Sequence, residues 1–253
     1  MSRKTLTGKR IAITGGAHGI GRETALAFLA EGADIVLGDV DVGSVRAVAD
    51  QLSRTHGGTV LGLALDVTDS ARFASFLDYA TRKLGGLDVL VNAADVMPSG
   101  PFLAETEAET DHQIAVNLRA VITGTRLAAA RFAGHGHGHG HGHGHGHGHG
   151  HGHGQIVNIG TAAGVTGALG VAVYCATKHG VVGLGAALDH ELAERGVTVS
   201  TVAAGSITDP VAVADAVVEA VQRPRGGLIS VAAPRGLRGG VLRRVFARDG
   251  QGH

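Results

Sequence analysis

Tyr174 and Lys178 stand four residues apart in the run Tyr-Cys-Ala-Thr-Lys, a spacing that puts a phenol and an ammonium on one face of a helix. Such a pair can move protons. A free tyrosine, with a pKa of about 10, is a poor acid–base catalyst near neutrality, but a fixed cation nearby favours the phenolate and draws that pKa down. Any helix can carry Tyr and Lys at this spacing by chance. The pair takes its weight from a second motif near the N-terminus.

That motif is Thr-Gly-Gly-Ala-His-Gly-Ile-Gly, residues 14–21, which follows the apolar run Arg10-Ile11-Ala12-Ile13 and precedes a helix-like stretch from Gly21 to Leu29. Strand, glycine loop and helix come in order. Gly15, Gly19 and Gly21 remove side chains where a backbone must turn tightly and approach a pyrophosphate, whose charge then sits at a helix N-terminus. A glycine turn can also be purely structural. Against that, Asp39 closes the next apolar run, Ile35-Val36-Leu37-Gly38, where a ribose-binding carboxylate is expected. A carboxylate accepts hydrogen bonds from a ribose 2′-hydroxyl and repels a 2′-phosphate, so NAD is favoured over NADP. His18 could meet a phosphate if protonated, but with an unperturbed pKa of about 6.5 it reads first as a loop residue. With Ile20 it completes the loop expected to line the cofactor.

The glycine spacing joined to Tyr-X-X-X-Lys resembles the short-chain dehydrogenase/reductase family, from about Lys9 to Val202. The resemblance implies that Tyr174 is the general acid–base and that Lys178 binds the nicotinamide ribose and lowers the tyrosine pKa. It implies that Thr161, thirteen positions before the tyrosine, orients the substrate carbonyl and that Asn117 supports a proton relay through water. Thr161 replaces the usual serine with the same hydroxyl capacity plus a methyl that crowds the substrate side. Asp66 and Val67 resemble the family's adenine-contacting pair, although Asp66 could instead cap a helix, with Asp69 as a rival for that role. Asn92, Gly205 and Ile207 complete the implied cofactor contacts. The resemblance also implies a small-molecule alcohol or carbonyl substrate and a homodimer or homotetramer.

Three features depart from the family pattern. Asn-Asn-Ala-Gly after the fourth strand is here Asn92-Ala93-Ala94-Asp95, which brings a side chain and a charge to a place expected to pass close to the adenosine half of the cofactor. The usual Pro-Gly after the sixth strand is Ala204-Gly205. Only Ser206-Ile207-Thr208-Asp209 then precedes Pro210, where the family places a longer substrate cover. A short cover predicts an open pocket, or impaired catalysis if closure is essential.

Strand-like and helix-like segments alternate along the chain, which predicts an α/β fold, a doubly wound parallel sheet of Rossmann type in a single domain. The expected strands are residues 10–14, 34–38, 59–65, 88–92, 156–160, 197–203 and 228–232. Asn117 falls in a helical pattern from about Thr106 to Phe132, where its bland reading is a solvent-facing residue. The 22 basic and 22 acidic residues cancel, leaving no field to steer nucleic acid, and no apolar run is long enough to span a membrane. One cysteine, Cys175, excludes an internal disulfide. With no apolar signal region before the first strand, the expected compartment is the cytoplasm.

Residues 134–154 alternate His and Gly. They have too little apolar surface to offset ordering entropy, and such a tract can ligate zinc, nickel or copper without fixed geometry. It joins a helix end to a strand start, hence the edge of the sheet opposite the chemistry. Residues 233–253 form a basic tail, with five arginines between Arg235 and Arg248. Together these features predict an NAD-dependent oxidoreductase that interconverts an alcohol and a carbonyl. The competing reading is a nucleotide-binding scaffold with impaired catalysis, with metal binding by the His-Gly tract.

Overall fold

The computed structural model describes residues 5–56, 58–134, 153–161, 167–205 and 209–231. Within them the chain alternates strand and helix: β1 (Arg10–Thr14), α1 (Gly19–Ala30), β2 (Asp34–Asp39), α2 (Val42–His56), β3 (Val60–Ala64), α3 (Ser70–Leu84) and β4 (Val89–Asn92). After a short turn of helix at Phe102–Ala104 come α4 (Glu107–Ile114), α5 (Ala120–Gly134), β5 (Gly154–Thr161), α6 (Ala172–Ala193), β6 (Val197–Ala204), α7 (Pro210–Gln222) and β7 (Gly227–Ser230). Each expected strand is present within two residues at either end.

All seven strands pair in parallel, in the order β3-β2-β1-β4-β5-β6-β7. The chain winds outward from β1 to β3, then returns to place β4 on the other side of β1. Loops leaving β1 and β4 therefore diverge to opposite faces and open a crevice at the carboxyl ends of these strands.

The strand sequences explain the burial. Ile11, Ile13, Ile35, Leu37, Val89, Val91, Val157 and Ile159 face one layer, with Phe28 of α1, Val45 of α2 and Val213 and Val217 of α7. Their neighbours Ala12, Val36, Leu90, Ile156 and Val199 face the other, with Phe73 and Phe76 of α3, Phe132 of α5 and Leu192 of α6. Alternate side chains leave opposite faces of a strand, so a run apolar at every position is stable only when both faces are covered.

The helical pattern around Asn117 is not one continuous helix. Between α4 and α5, residues Ala115–Arg119 form a π-turn, an insertion common at functional sites. Thr106 and Glu109 form a reciprocal capping box at the start of α4.

At the amino edge of the sheet, Arg10 Nε and Nη2 bond Asp88 at 2.8 and 2.9 Å, and Arg10 Nη1 donates to the Gly85 carbonyl at 2.7 Å. Gly134 ends α5 and Gly154 opens β5, so the His-Gly tract enters and leaves at this amino edge; residues 135–152, like the basic tail, lie outside the described residues. No helix among the described residues is long and apolar enough to cross a membrane.

Burial raises the pKa of Asp88, but the side-chain and backbone bonds from Arg10 outweigh it and hold the carboxyl below its ordinary value. A carboxyl depressed in the folded state adds stability above its unfolded pKa, and that stability is lost as pH falls. Asp88→Ala should therefore cost about 1–2 kcal/mol at neutral pH, the lower part of the range for bonds to charged groups because the guanidinium is partly exposed. In urea titrations the gap between wild type and variant should close as pH falls below about 4.

Candidate active site

Gly15 follows β1 with φ of 69°, and a Cβ built on it would lie 2.7 Å from Ala94 Cα. The glycine loop thus passes against the segment leaving β4 with no room for a side chain. Thr14 secures this passage: its Oγ1 accepts from the Ala93 and Ala94 amides at 3.1 and 3.2 Å. Gly21, buried in the first turn of α1, sits under the Gly15 carbonyl, and any side chain there would collide with it. His18 is the exposed N-cap of α1, with extended backbone and no side-chain cap bond, in keeping with a loop role.

A cleft of about 280 Å³ opens beside this loop, lined among others by Gly15, Asp39, Asp66, Val67, Asp95 and His112. Asp39 ends β2, and its Oδ2 accepts from the Ala17 amide at 3.0 Å, so the carboxylate that faces the cleft also braces the glycine loop. Asp66 does not cap α3. Its Oδ1 accepts from the Thr68 amide and hydroxyl at 2.9 and 2.7 Å, bonds that hold its carboxyl below the ordinary range. Asp69 is the cap, accepting from the Ala71 and Arg72 amides.

Lys178 is 2% exposed, and its ammonium donates to the Ile159 carbonyl of β5 at 3.1 Å. One turn earlier on α6, Tyr174 presents its ring to the same ammonium, with Nζ 5.5 Å from the ring centroid. The pair expected from i,i+4 spacing is thus formed. It has a third member. Asp95 accepts a hydrogen bond from the Tyr174 hydroxyl through Oδ2 at 3.0 Å and pairs with Lys178 through Oδ1 at 3.0 Å.

Asp95 lines the cleft with Asp39, Asp66 and Val67 and also reaches the tyrosine–lysine pair. Its charge turns along the cleft toward the tyrosine–lysine pair, because the close passage at Ala94 delivers the next residue to the N-terminal half of α6. It also reverses the expected tuning of Tyr174. Burial first, then the charge of Asp95 and the bond to it, push the phenol well above its ordinary range, with a further contribution from Cys175.

Asn117 is fully buried in the π-turn, which overturns its solvent-facing alternative. Its Oδ1 accepts from the Val96 amide at 2.9 Å and its Nδ2 donates to the Val96 carbonyl at 2.7 Å, so it clamps the residue after Asp95. Thr161 ends β5, two residues beyond Ile159, and donates to the Ala204 carbonyl at 2.9 Å, joining the ends of β5 and β6. Asn92 is buried, and its Nδ2 donates to Asn158 Oδ1 at 2.8 Å, a bond between neighbouring strands. Gly205 follows β6 at the same edge, and Ile207 lies outside the described residues.

Residues 9–221 match the model of the short chain dehydrogenase family. The chain is 36% identical over 198 residues to the (2S)-[(R)-hydroxy(phenyl)methyl]succinyl-CoA dehydrogenase subunit BbsD of Thauera aromatica, covering 78% of this chain and 73% of that one. It is 33% identical to the 2,5-dichloro-2,5-cyclohexadiene-1,4-diol dehydrogenase LinX of Sphingobium indicum, over 81% of this chain and 76% of that one. A crystal structure of a short chain dehydrogenase from Mycobacterium smegmatis superimposes with a TM-score of 0.80 at 28% identity, covering 93% of this chain and 96% of that one. The chain belongs to the short-chain dehydrogenase family and is an oxidoreductase of that class.

Replacing Asn117 by Ala should release Val96 and leave its two half-buried backbone groups without their side-chain partners. The expected loss is about 1–2 kcal/mol of stability, the lower part of the range because water can reach the freed groups, with faster amide hydrogen exchange at Val96 than at the strand amides of β4.

Proposed function

We propose that this protein is an NAD-dependent oxidoreductase that interconverts a small-molecule alcohol and its carbonyl compound, with Tyr174 as the proton-transferring group. The observation that carries this reading is the contact of Tyr174 with Lys178 at the carboxyl edge of the sheet, joined through Asp95 to the cleft lined by Gly15 and Asp39. Residues of the cleft suit a dinucleotide. Gly15 leaves backbone bare where a Cβ would strike Ala94, the N-terminus of α1 has no acidic residue in its first turn, and Asp39 offers a carboxylate at the end of β2. Pyrophosphate would lie at Gly15, Gly19 and Gly21, a ribose at Asp39, and the adenine near Asp66 and Val67. Bound there, the nicotinamide would supply or accept the hydride.

The chain's own groups do the rest. Lys178, anchored to the Ile159 carbonyl, holds a positive charge below the tyrosine ring and can reach ribose hydroxyls. Tyr174 gives its proton to a substrate oxygen or takes one from it, and Thr161 would orient that oxygen from the end of β5. Asn117 keeps the segment after β4 in register with α6. The substrates named for the two relatives, a hydroxy(phenyl)methyl succinyl-CoA and a cyclohexadiene diol, both carry alcohols. Apolar side chains stand exposed on the segments flanking the crevice, Met97 and Leu103 after β4 and Leu169 before α6, which suits a substrate with apolar bulk.

A second reading, a nucleotide-binding scaffold with weak catalysis, is favoured by one observation: the Tyr174 proton is engaged by Asp95. Turnover separates the two. Tyr174→Phe should lower turnover by about 10²–10⁴-fold, the usual contribution of a positioned acid–base group, while NADH affinity, followed by the nucleotide's own fluorescence, stays nearly unchanged. Substantial residual turnover would sink the mechanism. The carboxylate of Asp39 predicts tighter binding of NADH than of NADPH, and Asp39→Ala should narrow that preference by roughly tenfold, about 1.4 kcal/mol.

A further inference from the structure

Asp95 is the one acidic residue in direct contact with both members of the tyrosine–lysine pair among the described residues, through separate oxygens of one carboxylate. A phenol has a single proton, and Tyr174 gives it to Asp95. An ammonium beside a lone tyrosine would stabilise the phenolate. Here the ammonium faces a carboxylate at 3.0 Å, so its charge is already balanced, and a phenolate would form against a second anion.

We propose that Asp95 sets the protonation state of this site: by bridging Tyr174 and Lys178 it holds the phenol neutral, so that the resting protein is ready to donate a proton to a carbonyl oxygen and is not ready to accept one from an alcohol. The consequence for reaction direction rests on the oxidoreductase reading above; the effect on Tyr174 itself does not.

Charged and titratable groups around the phenol come from three elements. Lys178 and Cys175 are on α6 with it, His179 turns its ring back onto the Cys175 carbonyl, Asp95 comes from the segment after β4, and His112 of α4 lines the same cleft. Of these, only Asp95 bonds the hydroxyl. In the donating direction the Tyr174 O–H bond breaks as a new O–H bond forms on the substrate oxygen. A reduced nicotinamide bound at the glycine loop would supply the hydride, with its electron pair, that the carbonyl carbon needs, and solvent water returns a proton to the phenolate. Donation requires the hydroxyl to rotate its proton from Asp95 to the substrate. Asp95 then faces a transient phenolate, which hastens reprotonation. In the accepting direction the site must first lose the phenol proton against Asp95, and that confines alcohol oxidation to high pH.

The chain has two tyrosines and no tryptophan, which makes the ionisation directly visible. With Tyr79→Phe as background, the phenolate absorbance in the near ultraviolet belongs to Tyr174 alone, and far-ultraviolet circular dichroism at each pH marks where unfolding begins. The expected result is no phenolate before alkaline unfolding in Tyr79→Phe. In Tyr79→Phe with Asp95→Asn, and again with Asp95→Gly, a phenolate wave should appear in the folded protein at least two pH units lower, within the ~1–3 units a neighbouring charge commands. Equal titration with and without Asp95 would overturn the proposal. So would a folded Tyr79→Phe chain whose remaining tyrosine ionises near the ordinary value of about 10, a result independent of whether the Asp95 variants fold. Neither cofactor nor substrate is needed. If the shift appears but no dinucleotide binds, the oxidoreductase reading fails and this proposal stands.

Discussion

Two backbones pass within contact distance at Gly15 and Ala94, and the rest of the site depends on that constraint. It follows from the register of the sheet: β1 and β4 are neighbours with Thr14 opposite Asn92, so the residues just beyond their ends lie side by side before their connections part to opposite faces. A residue with a side chain at position 15 would have to push Ala94 away and adopt a φ that only glycine takes freely. Thr14 closes the contact with two hydrogen bonds to the Ala93 and Ala94 amides. The residue after Ala94 is thereby aimed across the mouth of the crevice at α6, and in this chain that residue is an aspartate.

From there the electrostatics are determined by which groups share a hydrogen bond. Lys178 is buried and needs partners, and among the described residues it bonds the Ile159 carbonyl and Asp95. A buried ammonium with no counter-charge is costly, so the aspartate has a structural justification as well as a chemical effect. That effect adds to burial in raising the Tyr174 phenol, opposite to what a lysine beside a lone tyrosine does. Because the raised Tyr174 ionisation lies above that of an unfolded chain, the folded state keeps its full contribution from this group below about pH 10 and loses it as the solution becomes more alkaline. Asn117 supports the arrangement from behind, with the π-turn between α4 and α5 setting its amide level with the Val96 backbone.

Much of this was legible in the sequence because it is local. Apolar runs of four to eight residues punctuated by glycine and polar turns gave all seven strands of the sheet, and the glycine loop and the Tyr174–Lys178 spacing each encode a geometry within a few residues. What could not be read is what depends on distant segments meeting. Asp95 and Lys178 are 83 positions apart in the chain (178 − 95), and nothing near Asp95 announces that its carboxylate turns along the cleft. Asn92 has the same difficulty: its partner Asn158 belongs to another strand, and only the pairing of β4 with β5 reveals an inter-strand bond. Asp66 and Asp69 could not be ranked as helix cap from type alone, since the choice depends on which backbone amides α3 presents first. The π-turn was hidden for a related reason. An inserted residue in a helix leaves the apolar pattern nearly intact while rotating one side chain, here Asn117, into the interior.

The most direct test of this account is the ζ-carbon resonance of isotope-labelled tyrosine, recorded at neutral pH before and after NADH is added. With only Tyr79 and Tyr174 to assign, Tyr79→Phe separates them. The account predicts that Tyr174 resonates as a neutral phenol in the free protein, and that NADH moves its signal while leaving that of Tyr79 in place. A Tyr174 phenolate at neutral pH, or a Tyr174 signal indifferent to saturating NADH, would contradict it.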